Sequence, residues 1–166
     1  MLKLITPPLR VNAKQVADPK EIIQEALDIQ SMIMEGTVFH PGSKHNDCYA
    51  VAQPQVSTYP LRYFVLNPSN KLKAIRKEFG GDIIVNPKIL LKNKLTKMTS
   101  KEGCLSWPFR FLKSIKRYEE IEVNYVIIDN KGRIKEVAQK SLKGLPAIIF
   151  QHELDHLNGK TIWDKK

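Results

Sequence analysis

The sequence is poor in cysteine, poor in acid relative to base, and without a long apolar run. Its two cysteines, Cys48 and Cys104, cannot build a disulfide framework, which excludes the small stapled secreted domains and fits free thiols in a reducing compartment. A cytoplasmic protein is the simplest expectation, and a mature organellar form would share these features. The stretch Met1-Leu-Lys-Leu-Ile-Thr-Pro-Pro8 is broken by its double proline before an apolar signal core can form. No segment approaches the length of a transmembrane helix, so no membrane attachment is expected. There is no internal repeat and no low-complexity linker, and 166 residues are too few for a full (β/α)₈ barrel. A single domain over residues 1–166, acting as a monomer, is expected. With 17 acidic residues against 27 basic ones, the formal charge is +10. That charge favours anionic partners such as RNA, phosphate-rich surfaces or anionic membranes, and names no activity.

What is present reads as a helix, then many strands, then a helix. Asp18-Pro19-Lys20-Glu21 supplies an N-cap, a proline at the first helical position and a capping-box acid. Ile22, Ile23, Ala26, Leu27, Ile29, Ile33 and Met34 then recur at near-helical spacing until Gly36. Residues 37–48 read as a loop. Leu61–Leu66 and Asp82–Pro87 read as short buried strands, and Lys88–Lys101 as a half-exposed strand pair with its lysines toward water. Ile121–Ile128 and Arg133–Val137 flank the turn Asp129-Asn-Lys-Gly132 and form a hairpin. Pro146 opens a second helix that runs to about Leu157, where Asn158-Gly159 stops it. This order predicts an α+β fold with mostly antiparallel sheets around the last helix rather than alternating βαβ units.

That last helix carries His152-Glu153-Leu154-Asp155-His156, an HExxH pattern in a chain with only four histidines. Four residues are slightly more than one helical turn, so both imidazoles project from one face and can hold one metal ion. Glu153 lies beside that face, where its carboxylate can act on the attacking water instead of binding the metal. A catalytic site of this type takes a third protein ligand and leaves one position open. Cys104, Cys48 and the two other histidines are the candidates. Cys104 stands in Lys101-Glu-Gly-Cys-Leu-Ser-Trp-Pro108, where Gly103 lets the backbone approach a ligand closely. Leu145, Ile148 and Ile149 precede His152 on or near one stripe and can line an apolar pocket that suits an unbranched side chain.

Glu102-Gly-Cys-Leu-Ser106 and Gln151-His-Glu-Leu-Asp-His-Leu-Asn-Gly159 resemble the EGCLS and QHExDHLNG motifs of the peptide deformylase family, and Ala52-Gln-Pro-Gln-Val56 partly resembles its GxGxAAxQ motif. The resemblance extends over almost the whole chain. It implies that Cys104, His152 and His156 bind one divalent metal, ferrous iron natively, with Zn2+, Ni2+ or Co2+ as substitutes. It implies that Glu153 takes a proton from the attacking water and returns it to the departing α-amine. The Leu105 backbone N–H and the Gln55 side chain would stabilise the oxyanion, each such donor being worth about 3 kcal/mol. The implied substrates are formylated nascent peptides, the implied products formate and a free N-terminal methionine. Tyr49, Ala50 and Gly103 would line an extended peptide bound by strand addition, beside the pocket of Leu145 and Ile149. Apart from the resemblance, Arg110 after Trp107-Pro108 reads either as a guanidinium that holds substrate backbone or carboxylate or as a solvated surface arginine. Thiolate ligation of ferrous iron implies oxygen sensitivity.

The first motif departs from the family pattern. Its two glycines become Cys48 and Ala50, its second alanine becomes Gln53, and the Pro-Gln-Val register assigns the oxyanion role to Gln55 rather than Gln53. Cys48 reads as a wall of the pocket rather than a second metal thiol. The scattered basic residues Lys88, Lys92, Lys94, Lys97, Lys113, Lys116 and Arg117 read either as a solvated basic face or as a salt-sensitive attraction to ribosomal RNA. Two rival readings stand beside the deformylase: a hydrolase of another N-acyl group, and an RNA- or ribosome-binding protein whose metal site is non-catalytic.

Overall fold

The computed structural model describes residues 4–5, 10–36, 48–92, 96–105, 112–129 and 131–165. Asp18 caps the first turn by accepting the Lys20 N–H at 2.9 Å, and a short 3₁₀ turn, Pro19–Ile22, leads into α1 (Ile23–Glu35). Gly36 ends α1 at φ 72°, a left-handed conformation that suits a residue without Cβ. Two residues of the expected apolar stripe, Leu27 and Met34, face solvent.

A five-stranded sheet forms the centre, built from β1 (Ala50–Ala52), β2 (Tyr63–Leu66), β3 (Ile83–Lys92), β6 (Glu120–Ile128) and β7 (Ile134–Lys143), in the order β1-β2-β3-β6-β7. All of its pairings are antiparallel, as the α+β reading expects. Period-two alternation sends Tyr63, Val65, Ile83 and Val85 to one apolar cluster with Ala26, Ile29 and Ile33 of α1. Phe64, Leu66 and Ile84 go to the opposite cluster with Ala147, Ile149 and Phe150 of α3 (Leu145–Leu157). There Phe64 meets Phe150 edge-on at 5.9 Å between centroids, and Phe79 stacks on Phe150 at 6.5 Å. Both faces of the sheet are therefore covered, and α3 is buried along most of its length.

Lys88–Lys101 is not a strand pair. β3 runs on to Lys92 and pairs with β6, whereas β4 (Lys97–Glu102) joins β5 (Lys113–Tyr118) in a separate two-stranded sheet. The register of β3 shifts between Val85 and Lys88, where Pro87 has no N–H to give. Asn86 there adopts φ 52°, and its side chain accepts from Val16 N–H and donates to Val16 C=O, both at 2.9 Å. A further short helix, α2 (Lys73–Phe79), which the sequence reading omits, delivers Phe79 to the α3-side cluster.

Two contacts fix α3. The Gln151 amide pairs with the Tyr118 backbone at the end of β5, accepting its N–H at 3.1 Å and donating to its C=O at 2.8 Å. After the helix, Gly159 at φ 66° passes so close to the backbone of Arg10 and Val11 that a Cβ would lie 2.7–3.0 Å from it.

Candidate metal and catalytic site

Cys104 lies two residues past the end of β4, and β4 pairs with β5, which Gln151 ties to α3. This chain of contacts delivers the thiol to the helix face that bears both histidines. Cys104 Sγ lies 3.3 Å from His156 Nε2. His156 Nε2 lies 3.2 Å from His152 Nε2, and the three donor atoms fall within 4.8 Å of one another. Ligands at metal–nitrogen and metal–sulfur bond lengths of about 2.0 and 2.3 Å stand about 3.3–3.5 Å apart at tetrahedral angles. Thiolate and imidazole donors at this spacing fit a divalent first-row cation. Cys48 does not join the cluster: it is buried against the α1 side of the sheet, its Sγ bonded to Ala50 C=O at 3.2 Å. Burial, reinforced by the negative charge of Glu153, pushes the Cys48 thiol far up and keeps it protonated.

Around the donors lies a network of buried charge. Glu102, the last residue of β4, meets His152 Nδ1 at 2.9 Å and so orients that ring with Nε2 toward the cluster. Arg117 on β5 grips Glu102 through Nε at 2.8 Å and Nη2 at 2.7 Å, and reaches Asp155 through Nη1 at 2.5 Å. Lys165 adds a second cation at Asp155, 2.8 Å away. Burial alone would raise the Glu102 carboxyl, yet the bonds from Arg117 and His152 outweigh it and hold the group down at about 2. His156 is held neutral, well below the usual imidazole range, by burial and by the positive charges of His152 and Arg117. For His152, burial disfavours the proton, but the bonds to Cys104 and Glu102 prevail and lift it to about 10. Metal binding at Nε2 needs both imidazoles free of a proton there, so a divalent cation entering the cluster would displace the His152 proton.

Glu153 is 4% exposed, and its Oε2 has no hydrogen-bond partner among the described residues. Burial raises this carboxyl to about 7, against the pull of His152 and of the Ala52 backbone. A carboxyl poised near neutrality is suited to take and return a proton. Ala52 also gives its N–H to Gln55 Oε1 at 2.8 Å, so the first motif and the HExxH helix meet at one backbone amide. That bond turns the oxygen of Gln55 toward its own turn and the amide nitrogen to the other side. Gln53 faces elsewhere: its amide bonds to Glu25, Tyr59 and Leu61 on the α1 side. Leu105 is half-buried against the α1-side cluster.

The remaining expected residues are distributed around this centre. Ala50 packs inside the α3-side cluster. Among the described non-glycine residues only Asn86 has positive φ, so Cys48 and Ala50 replace the family glycines without backbone strain. Tyr49 and Leu145 are exposed, Ile149 is buried in the core, and Gly103 is exposed beside Leu112. Arg110 lies outside the described residues, as does Lys94 of the basic face. Arg117 does not belong to that face: its side chain is 3% exposed and consumed by two carboxylates. The sequence reading missed the roles of Glu102 and Asp155 although both lie inside the quoted motifs. For Arg117 the one available signal was the alternation that turns Ile115 and Arg117 to the same buried face of β5.

Comparison with known proteins agrees with this geometry. The sequence pattern described as polypeptide deformylase matches residues 1–166. The peptide deformylase of Thermotoga neapolitana is 33% identical over 161 residues, 96% of this chain and 81% of that protein. Among solved structures, the peptide deformylase of Thermotoga maritima superposes with a TM-score of 0.69 at 29% identity, covering 99% of this chain and 97% of the other. A probable peptide deformylase from Synechococcus phage S-SSM7 superposes with a TM-score of 0.73 at 28% identity, over 100% of both chains. Donor geometry, fold and a match along the entire sequence converge, and the chain belongs to the polypeptide deformylase family.

Proposed function

We propose that this protein removes the N-formyl group from the N-terminal formylmethionine of nascent polypeptides, with residues 1–166 acting as one catalytic domain. The observation that carries the reading is the convergence of Cys104, His152 and His156 on one point beside a buried, half-satisfied Glu153. Cys104, His152 and His156 would hold one divalent ion, Fe2+ natively with Zn2+, Ni2+ or Co2+ as substitutes, and when bound it supplies Lewis-acid polarisation. Glu153 Oε2 takes a proton from the water whose oxygen attacks the formyl carbon. As the C–N bond breaks, that proton passes to the departing α-amine nitrogen, leaving formate and a free amino terminus. The amide nitrogen of Gln55 and the backbone N–H of Leu105 donate to the oxyanion that develops between these steps.

β1 lies at the edge of the central sheet, which suits an extended peptide added alongside it near Tyr49, Ala50 and Gly103. Leu145 and Ile149 flank the methionine side chain, and Arg110 would hold substrate backbone or carboxylate. The remaining exposed lysines, Lys88 and Lys116 among them, favour a ribosome surface contact by a monomer in the cytoplasm. Among the described residues no helix is long and apolar enough to cross a membrane.

The test is formate release from a formyl-Met tripeptide by protein loaded with ferrous iron under anaerobic conditions, beside the acetylated peptide. Formate without acetate is expected. Acetate release would transfer the activity to another N-acyl class, and no turnover with a full metal complement would leave a binding protein.

A further inference from the structure

Gln53 occupies the position where the family motif has its second alanine, and the structure gives this larger side chain a complete set of partners. It is 1% exposed. Its Nε2 donates to Glu25 Oε1 at 3.1 Å and to Tyr59 C=O at 3.1 Å. Its Oε1 accepts the Leu61 N–H at 2.7 Å. Glu25 in turn accepts from the Tyr63 hydroxyl at 2.6 Å through Oε2. One amide therefore joins α1 to the Tyr59–Leu61 segment before β2, and Glu25 carries the link on to Tyr63 of β2. The Gln53 backbone carbonyl also accepts the Val56 N–H at 3.0 Å and closes the 3₁₀ turn Gln53–Gln55. That same turn presents Gln55, whose Oε1 is held by Ala52 at 2.8 Å.

We propose that Gln53 is a positioning residue for Gln55: clamped to α1 through Glu25 and to the Tyr59–Leu61 segment, it fixes the 3₁₀ turn from which the Gln55 amide is aimed. The inference rests on the reading of Gln55 as an oxyanion donor. A buried amide with all of its bonds made resists rotation, because each displacement leaves a polar group unsatisfied in a dry interior. Small errors in the aim of a catalytic donor are expensive in rate, whereas β1, beside which the peptide lies, is held by its own pairing with β2 and keeps substrate affinity. Gln53 acts from the far side of the sheet, so its removal is expected in kcat and not in KM.

The experiment is a double-mutant cycle on the metal-loaded full chain with a formyl-Met tripeptide. Gln53→Met retains volume and removes all three bonds; Glu25→Ala removes one arm and supplies the same test if Gln53→Met does not fold. We expect Gln55→Ala alone to lower kcat by about 10²-fold. Gln53→Met should lower kcat about tenfold with KM within about twofold and metal content unchanged. In the Gln55→Ala background the further loss should fall below about twofold, since the group being aimed is gone. An equal loss in both backgrounds, or none in the Gln55 chain, overturns the inference while leaving Gln55 in its role. An unchanged kcat in Gln55→Ala alone overturns the reading of Gln55 and the inference with it.

Discussion

Replacing Arg117 by leucine is the perturbation whose consequences can be followed furthest. The guanidinium is 3% exposed and bonds Glu102, itself 6% exposed, and Asp155, 14% exposed. Leucine fills part of the space and answers neither carboxylate. Asp155 retains Lys165, but Glu102 keeps only His152. Removing one partner of a buried ion pair costs about 3–5 kcal/mol, because the remaining charge stays desolvated. In a chain of this length that corresponds to a fall in apparent Tm of roughly 10 °C. A second effect reaches the donors: without Arg117, Glu102 has one oxygen unheld and orients His152 less firmly, and loss of such an outer partner lowers metal affinity about 10–100-fold. The assays are calorimetry on the metal-loaded protein and zinc competition against a chelator. Glu102→Leu added to Arg117→Leu should restore part of the lost Tm, since the stranded charge is gone, and should not restore metal affinity. A Tm within about 3 °C of the parent together with unchanged zinc affinity would refute the argument that this network supports the site.

Three further outcomes follow from the same geometry. Bound zinc should protect Cys104 from iodoacetamide, and chelation should expose it, whereas Cys48 stays unmodified in the folded chain because its thiol is buried and protonated; peptide mass mapping that finds Cys48 alkylated first would contradict this. Gly159→Ala places a Cβ 2.7 Å from Val11 N at φ 66°, so a loss of about 2 kcal/mol or more is expected in urea titration, and a neutral result would show that the turn can shift. Phe150→Ala opens the four-ring cluster of Phe64, Phe79, Tyr125 and Phe150 and should cost about 3–5 kcal/mol by the same titration, with a cost under 1 kcal/mol counting against that cluster as the core of the α3 side.

Local chemistry made much of this legible in the sequence. Asp18, Pro19 and Gly36 mark the ends of the first helical segment where the structure has them, and the Asp129–Gly132 turn opens the β6–β7 hairpin, with Asp129 accepting the Lys131 and Arg133 amides. The HExxH spacing alone places two imidazoles on one helix face. What escaped depends on distant partners. Alternating lysines cannot say whether β3 pairs with β4 or with β6, a choice made by the apolar run Ile121–Ile128 far along the chain. α2 has only Ile75 and Phe79 as an apolar pair, too short a stripe to stand out from loop. Arg117 reads as one more cation on a basic face until β5 is known to turn it inward to Glu102. Gln53 likewise reads as an unusual residue in a familiar motif; its partner Glu25 lies 28 residues earlier.

The most direct test of the account is Glu153→Gln, which preserves volume and hydrogen-bonding reach but cannot carry a proton between water and amine. Protein purified anaerobically and reloaded with ferrous iron would be assayed for bound metal and for formate released from a formyl-Met tripeptide. A full complement of metal with turnover reduced at least about 10²-fold is predicted. Turnover equal to the parent at equal metal content would contradict the central claim that the buried Glu153 carboxyl moves the proton in this site.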